Sequence, residues 1–269
     1  MRKIDTLTKE KEENIYSILS HEYKMPLTII GSSLDVLERY NQEDKLIDID
    51  ITAYLKAMRR NHERLTKLTN NLLDISFINT SDEYLNSEYI YLSELCDDIL
   101  EEVKSTQNYN KLTYNICEEE NVSPVLCDVG KTERVLLNLI SNSIKYGGEN
   151  VNININISND NDYCILRFEN NSPPIPKEIS EKIFEPFVRA IDNFERPIEG
   201  SGLGLSIVKK FMKAHDGDIY LDTDFQNGCA FVLKFPINKK QNNTLKQTVH
   251  YHNNLHNAIE IELCDAIAK

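Results

Sequence analysis

What the sequence lacks narrows its class before any motif is read. No apolar run approaches the roughly 18 residues that a membrane-spanning helix needs, so no segment is expected to cross a bilayer. The opening MRKIDTLTKEKEEN is too polar to be a signal peptide. C-x-x-C spacing is missing: Cys96, Cys117, Cys127, Cys164, Cys229 and Cys264 are scattered, which excludes a zinc ribbon or a dithiol redox motif. Most are expected to be buried reduced thiols in a reducing compartment. Positive charge is short as well. Lys and Arg number 30 against 43 Asp and Glu, a net charge of −13, and no basic patch gathers locally. Neither nucleic acid nor an anionic membrane surface is therefore an expected partner. These absences together predict a soluble, cytoplasmic chain.

What is present fills two modules. At 269 residues with 41% hydrophobic content the chain can bury one good core and a smaller second one. From about Ile4 to Tyr40 the pattern is helical, with Ile15, Leu19, Ile29 and Val36 or Leu37 near heptad spacing. A polar connection, YNQEDKLIDID, leads to a second helical run from Ile51 to about Ile78. It carries Leu55, Met58, His62, Leu65, Thr69, Leu72 and Ile75 in steps of three and four. Two helices on a short link predict an antiparallel hairpin. One hairpin leaves its apolar seam half covered, so pairing of two copies into a four-helix bundle, a homodimer, is the expected completion.

After the polar punctuation NTSDEYLNSEY the texture changes. YLSELCDDILEEVKSTQN reads as a helix with Ser93 as its cap, followed by short alternating runs LTYNICEE and VSPVLCD. KTERVLLNLISNSIKY is a strong helix stopped by Gly147 and Gly148. VNININIS and YCILRFEN alternate at period two around NDND, as a hairpin would. A glycine-rich passage, another helix and two strands, GDIYLDTD and CAFVLKFP, close the module near Pro236. The fold class is α+β, with helices on one face of a largely antiparallel sheet. Domain limits are expected at 1–85, 86–236 and a tail, 237–269. In that tail NAIEIEL alternates at period two, as an edge strand or as part of a flexible appendage. His250, His252 and His256 have no cysteine or acid placed to complete a metal shell, and read as a solvated tail.

Three stretches carry chemistry. In EGSGLGLSIVKKF, Gly200, Gly202 and Gly204 alternate just before an amphipathic helix. Such a loop suits a phosphate cradle, because glycine lets backbone N–H groups approach closely and a helix N-terminus adds its positive dipole end; it also suits a plain turn. In LLNLISNSIKYG, Asn138, Asn142 and Lys145 fall on one helix face, opposite Leu137, Ile140 and Ile144. An amide carbonyl is a hard ligand suited to Mg²⁺, and a lysine can meet phosphate oxygens. In SHEYKMPLTII, His21 sits within a helical pattern beside Glu22, with Pro26 five residues on. Taken alone, that histidine is either a surface residue or a reactive group.

Taken together these stretches resemble the boxes, in order, of a two-component sensor histidine kinase core, from about Leu7 to Pro236. SHEYKMPLT resembles the H box, LLNLISNSIKYG the N box and KIFEPFVRA the F box; FENNSPPIP stands at the first glycine box and GSGLGLSIV at the second. The resemblance implies a hairpin dimerising into a four-helix bundle, then an α/β-sandwich domain that binds ATP. It implies an ATP-dependent autokinase that phosphorylates His21 and passes the phosphoryl group to an aspartate on a response-regulator receiver domain. Glu22 would orient the imidazole and accept its other proton, and Pro26 would permit a bend below it. Asn142, with Asn138, would hold Mg²⁺ on the ATP phosphates, with Lys145 beside them and Tyr146 near the base. Val188 to Ser201 would be a lid over the nucleotide, with Gly200, Gly202, Leu203 and Gly204 near the phosphates. Arg189 and Arg196 are candidates for steadying the transferred group, and Phe184 and Phe187 are expected as packing anchors. The chain would then be cytoplasmic, or the cytoplasmic portion of a membrane-bound sensor.

Two departures from the family pattern stand out. Asn170, Ser172 and Pro174 occupy the positions of Asp, Gly and Gly in the first glycine box. Asn170 can present an acceptor to adenine or rotate to offer a donor, and its lack of charge predicts ATP binding weaker by about 1 kcal/mol. Met25, one turn after His21, stands where relatives carry a polar residue that positions water for dephosphorylating the partner. Two other readings follow from the same residues: a pseudokinase scaffold with weak ATP binding, and an ATPase clamp like those of gyrase or mismatch-repair proteins, against which the H box argues.

Overall fold

Heptad-spaced apolar residues and few breakers produce two long helices at the start of the chain, α1 (Arg2–Gln42) and α2 (Ile51–Phe77). The computed structural model describes residues 2–42, 50–77, 85–106, 109, 111–189, 200–237 and 255–266. It divides into two compact units, Met1–Leu73 and Asp74–Lys269. In the first unit α1 runs through Pro26, whose ring removes one backbone donor. Side chains tie α1 to α2, as where Tyr23 Oη lies 3.4 Å from Thr69 Oγ1. Leu27, Leu34 and Leu55 stay 43–55% exposed, an apolar strip that the hairpin does not cover itself.

After the last turn of α2, the second unit continues with a strand absent from the sequence reading, β1 (Ser87–Ile90), within what looked like polar punctuation. It is too short to show a period, and pairs antiparallel with β3 (Val125–Asp128). Helix α3 (Leu92–Thr106) follows. Ser93 does not cap it: the helix opens one residue earlier, on the Tyr91 carbonyl, and the Ser93 hydroxyl donates instead to Glu118 Oε2 at 2.9 Å. Next come β2 (Leu112–Glu118), then β3, and then α4 (Val129–Tyr146). Asp128 caps α4 by accepting from the Lys131 N–H at 3.0 Å.

Strands β4 (Val151–Asp160) and β5 (Tyr163–Asn170) form the predicted hairpin, turned by Asn161 at φ +46° and Asp162. Two short 3₁₀ turns lead on, and α5 (Gly204–Ala214), β6 (Asp218–Leu221) and β7 (Cys229–Pro236) close the sheet. Its order is β2-β4-β5-β7-β6, with β2–β4 parallel and the remaining pairs antiparallel. The period-two pattern explains the burial. Ile153, Ile155 and Ile157 point to the helix-covered face opposite Asn170, Phe168 and Leu166, while the intervening asparagines face outward. Each buried isoleucine contributes about 1.5–3 kcal/mol. Cys96, Cys127, Cys164 and Cys229 are buried free thiols, and burial pushes Cys127 and Cys164 up to about 12.

The tail departs from its reading. NAIEIEL forms neither an edge strand nor a loose appendage but helix α6 (Leu255–Leu263), packed on α3 and α4. His250 and His252 lie outside the described residues. His256 is exposed, with Nδ1 3.2 Å from Glu102 Oε1. No helix among the described residues is long and apolar enough to cross a membrane.

Candidate active site

In the first unit His21 lies midway along α1, exposed and without a hydrogen bond among the described residues. Successive helical side chains diverge by about 100°, and Glu22 turns inward. Its carboxylate accepts from Arg64 Nη2 at 3.2 Å, with side chains 10% and 11% exposed. Glu22 is thus committed to Arg64 and not to His21, because a carboxylate taken out of water needs a charged partner more than a neutral ring does. Met25 is half-buried one turn after His21, on the same face.

In the second unit α4 is fixed at its start by a histidine that the sequence reading passed over. His215 is buried, and its Nε2 accepts the Asp128 N–H at 2.9 Å. The proton is therefore on Nδ1, which donates to the Phe211 carbonyl at 2.6 Å. The polar stripe of α4 follows. Asn138 is buried; its Nδ2 donates to the Arg134 carbonyl at 2.9 Å, which turns its Oδ1 toward Gly204. A Cβ on Gly204 would stand 2.5 Å from that oxygen, so any larger residue opening α5 would push the Asn138 amide from its place. Asn142 is half-buried and its amide makes no hydrogen bond among the described residues. Lys145 Nζ lies 2.6 Å from Asp265 Oδ2 and 3.6 Å from where a Cβ on Gly200 would stand. Tyr146 is half-buried, and burial raises its pKa against the opposing Arg189 guanidinium.

The glycine loop is built by close approach. Gly202 has φ +70°, and a Cβ there would meet the Phe187 backbone at 2.9 Å. Phe187, itself left-handed at φ +65°, donates its N–H to the Gly202 carbonyl at 2.9 Å. Phe187 thus joins the start of the expected lid to the loop, while Arg189 donates to the Gly200 carbonyl. Phe184 packs edge-on to Phe231 with centroids 6.5 Å apart. Residues 190–199, including Arg196, lie outside the described residues. Leu203 is fully buried, so its side chain cannot reach a ligand and only its backbone is available. No side chain caps α5, which leaves its first N–H groups for an anion.

At the first glycine box, Asn170 is buried and its Oδ1 accepts the Ser172 N–H at 2.9 Å. A backbone N–H needs an acceptor, so this bond fixes the amide's orientation and leaves Nδ2, a donor, as the remaining polar group. Ser172 Oγ is buried without a hydrogen bond among the described residues, and Pro174 is exposed. Asn171, not singled out from sequence, holds this loop at the end of α4: its Oδ1 accepts from Asn152 N–H at 2.9 Å and its Nδ2 donates to the Asn150 carbonyl at 2.8 Å. The glycine loop thus abuts α4 at Asn138 and Lys145, and the Asn170–Ser172 turn is tied to the end of the same helix through Asn171.

Residues 12–81 match the His Kinase A (phospho-acceptor) domain, and residues 127–239 match the family described as histidine kinase-, DNA gyrase B-, and HSP90-like ATPase. The sensor histidine kinase WalK of Bacillus subtilis is 28% identical over 88% of this chain and 38% of its own length. The adaptive-response sensory kinase SasA of Microcystis aeruginosa is 28% identical over 86% of this chain and 63% of its own length. The chain thus spans less than two thirds of either relative. Among solved structures, the histidine kinase AdeS of Acinetobacter baumannii superposes with a TM-score of 0.63 at 23% identity, over 81% of this chain and 98% of that one, a likeness of fold. The histidine kinase ThkA, solved in complex with its response regulator TrrA, gives 0.61 at 25% identity over 88% of this chain and 66% of that one. On both domain matches and these relatives, the chain belongs to the two-component sensor histidine kinases, of which it carries the phosphoacceptor hairpin and the ATPase domain.

Proposed function

We propose that this protein is an ATP-dependent protein-histidine autokinase. The observation that carries the reading is the presence in one chain of an exposed, unbonded His21 and, in the other unit, a glycine loop set against Asn138 and Lys145 of α4. A neutral imidazole nitrogen attacks the γ-phosphorus, the bond from that phosphorus to the β–γ bridging oxygen breaks, and ADP leaves. The second ring nitrogen then releases its proton to water, to which the exposed ring is open. Glu22, held by Arg64, braces α1 against α2 beside the nucleophile. The unhydrogen-bonded carbonyl of Asn142 and the Oδ1 of Asn138 are the oxygens that would hold Mg²⁺, which would neutralise phosphate charge in transfer. Backbone N–H groups at Gly202 and Gly204 bind phosphate, and Arg189, which donates to the Gly200 carbonyl beside them, is the cation proposed to steady the transferred group. Asn170 and Ser172 face the base, whereas Pro174 only shapes the turn.

The acceptor of the phosphoryl group is proposed to be a receiver-domain aspartate, the class of partner carried in the ThkA complex. A homodimer is proposed because Leu27 and Leu34, one heptad apart, are exposed on α1. The acidic charge and buried reduced thiols favour a cytoplasmic setting. Incubation with γ-labelled ATP and Mg²⁺ tests the core of this reading: the protein should gain a phosphate that is labile in acid and stable in base. Incorporation of an acid-stable label, or of none, would overturn it.

Two further results are expected. Asn170→Asp gives the base corner two oxygens, one for the Ser172 N–H and one left as an acceptor where the amide now offers a donor. A charge-assisted bond of this kind should tighten ATP about fivefold and weaken GTP, read by competition binding. Unchanged affinity for both nucleotides would remove Asn170 from base recognition. Met25→Thr places a hydroxyl one turn beyond His21, where a thioether cannot orient water. The variant should speed decay of the phosphorylated regulator while largely keeping autophosphorylation. A wild-type protein that already dephosphorylates as fast would show that another group orients the water.

A further inference from the structure

The ATPase match ends at residue 239, yet α6, beyond it, is built into the second unit. Leu255, Ile259 and Leu263, spaced by four, are 3%, 0% and 1% exposed. The Ser141 hydroxyl of α4 donates to the Glu262 carbonyl at 3.2 Å, and Arg134 Nε lies 3.3 Å from Glu262 Oε1. The chain then turns and lands Asp265 on Lys145 at 2.6 Å, with side chains 8% and 9% exposed. Lys145 is the cation beside Gly200 that the nucleotide reading assigns to phosphate. Burial raises the pKa of neighbouring Tyr146, Arg189 lowers it, and Asp265 raises it further.

We propose that residues 255–266 form an autoinhibitory latch, in which the Asp265 carboxylate occupies the place of a phosphate oxygen on Lys145 and ATP must displace it. The inference rests on the reading of the second unit as a nucleotide site. The Asp265 carboxylate takes one donor and the charge of the Lys145 ammonium, and a phosphate brought to the same nitrogen would face that carboxylate as a like charge, so the two compete. The apparent affinity for ATP is therefore the intrinsic one reduced by the fraction of molecules with the latch open. Coupling of this kind is reciprocal, so ATP must in turn loosen α6.

The test uses the full chain and calorimetric titration with Mg-ATP. Asp265→Asn should bind about three- to tenfold tighter than wild type, with a larger gain at low salt. Asp160→Asn, an exposed acid at the opposite end of the β4–β5 hairpin from Asn170, should bind like wild type. Ile259→Asp, which unseats α6 from its core contacts, should reproduce the gain and decides the matter if Asp265→Asn fails to fold. Amide exchange gives a readout that a purely bracing role would not move: in wild type, Mg-ATP should lower the protection of 255–266. Equal ATP affinity in wild type and both variants, with α6 protection unmoved by nucleotide, overturns the latch and leaves the nucleotide site standing. Absence of ATP binding in all three proteins overturns the nucleotide reading and the latch with it.

Discussion

His21→Gln should reduce incorporation of label from γ-labelled ATP to background while leaving the fold and nucleotide affinity intact. Glutamine keeps a polar side chain of similar reach and a better helix propensity than histidine, and it carries no nucleophilic nitrogen. His21 is exposed and makes no hydrogen bond among the described residues, so its removal strands no buried partner and the melting temperature should shift little. The residues proposed to bind ATP belong to the other unit, so calorimetry should return wild-type Mg-ATP affinity. Both measurements are needed: lost label with retained binding identifies the acceptor, whereas label persisting on the Gln variant places the phosphate on another residue. His62, also exposed on α2, is the control, and its replacement by Gln should leave labelling unchanged.

How much of this could be read beforehand depended on the length over which a pattern ran. The two long helices declare themselves through many steps of three and four, and β4 and β5 through eight or more alternating residues. Strand β1 has four residues and no room for a period. Helix α6 was misread for a related reason: Ile259 and Ile261 alternate as in a strand, while Leu255, Ile259 and Leu263 repeat every four, and only packing on α3 and α4 selects the helix. Box order drew attention to the residues of the proposed site, but it carried none of their pairings. Glu22 to Arg64 spans 42 positions and Lys145 to Asp265 spans 120, and no local spacing encodes such a contact. The donor left by Asn170 likewise depends on where the Ser172 N–H points, a backbone fact that residue type does not carry.

Asn142→Ala should weaken Mg-ATP by about 100-fold or more, near 2.7 kcal/mol, while binding measured in EDTA changes little. Asn142 lies one turn from Asn138 on the polar stripe of α4, but the two amides are not equivalent. Asn138 is buried and spends its donor on the Arg134 carbonyl, so truncating it would disturb the helix face and the packing against Gly204. Asn142 is half-buried and has no protein partner among the described residues, so nothing in the apo fold holds it or is held by it. A carbonyl left open in this way suits a hard cation that keeps most of its shell from phosphate and water. Alanine is the better helix former by a few tenths of a kcal/mol, so the apo melting temperature should hold or rise slightly. The contrast between metal-bound and metal-free nucleotide is the deciding measurement, because a residue that merely shaped the pocket would weaken both. Equal losses with and without Mg²⁺ would assign Asn142 to pocket shape, and unaltered Mg-ATP affinity would move the metal site off this helix.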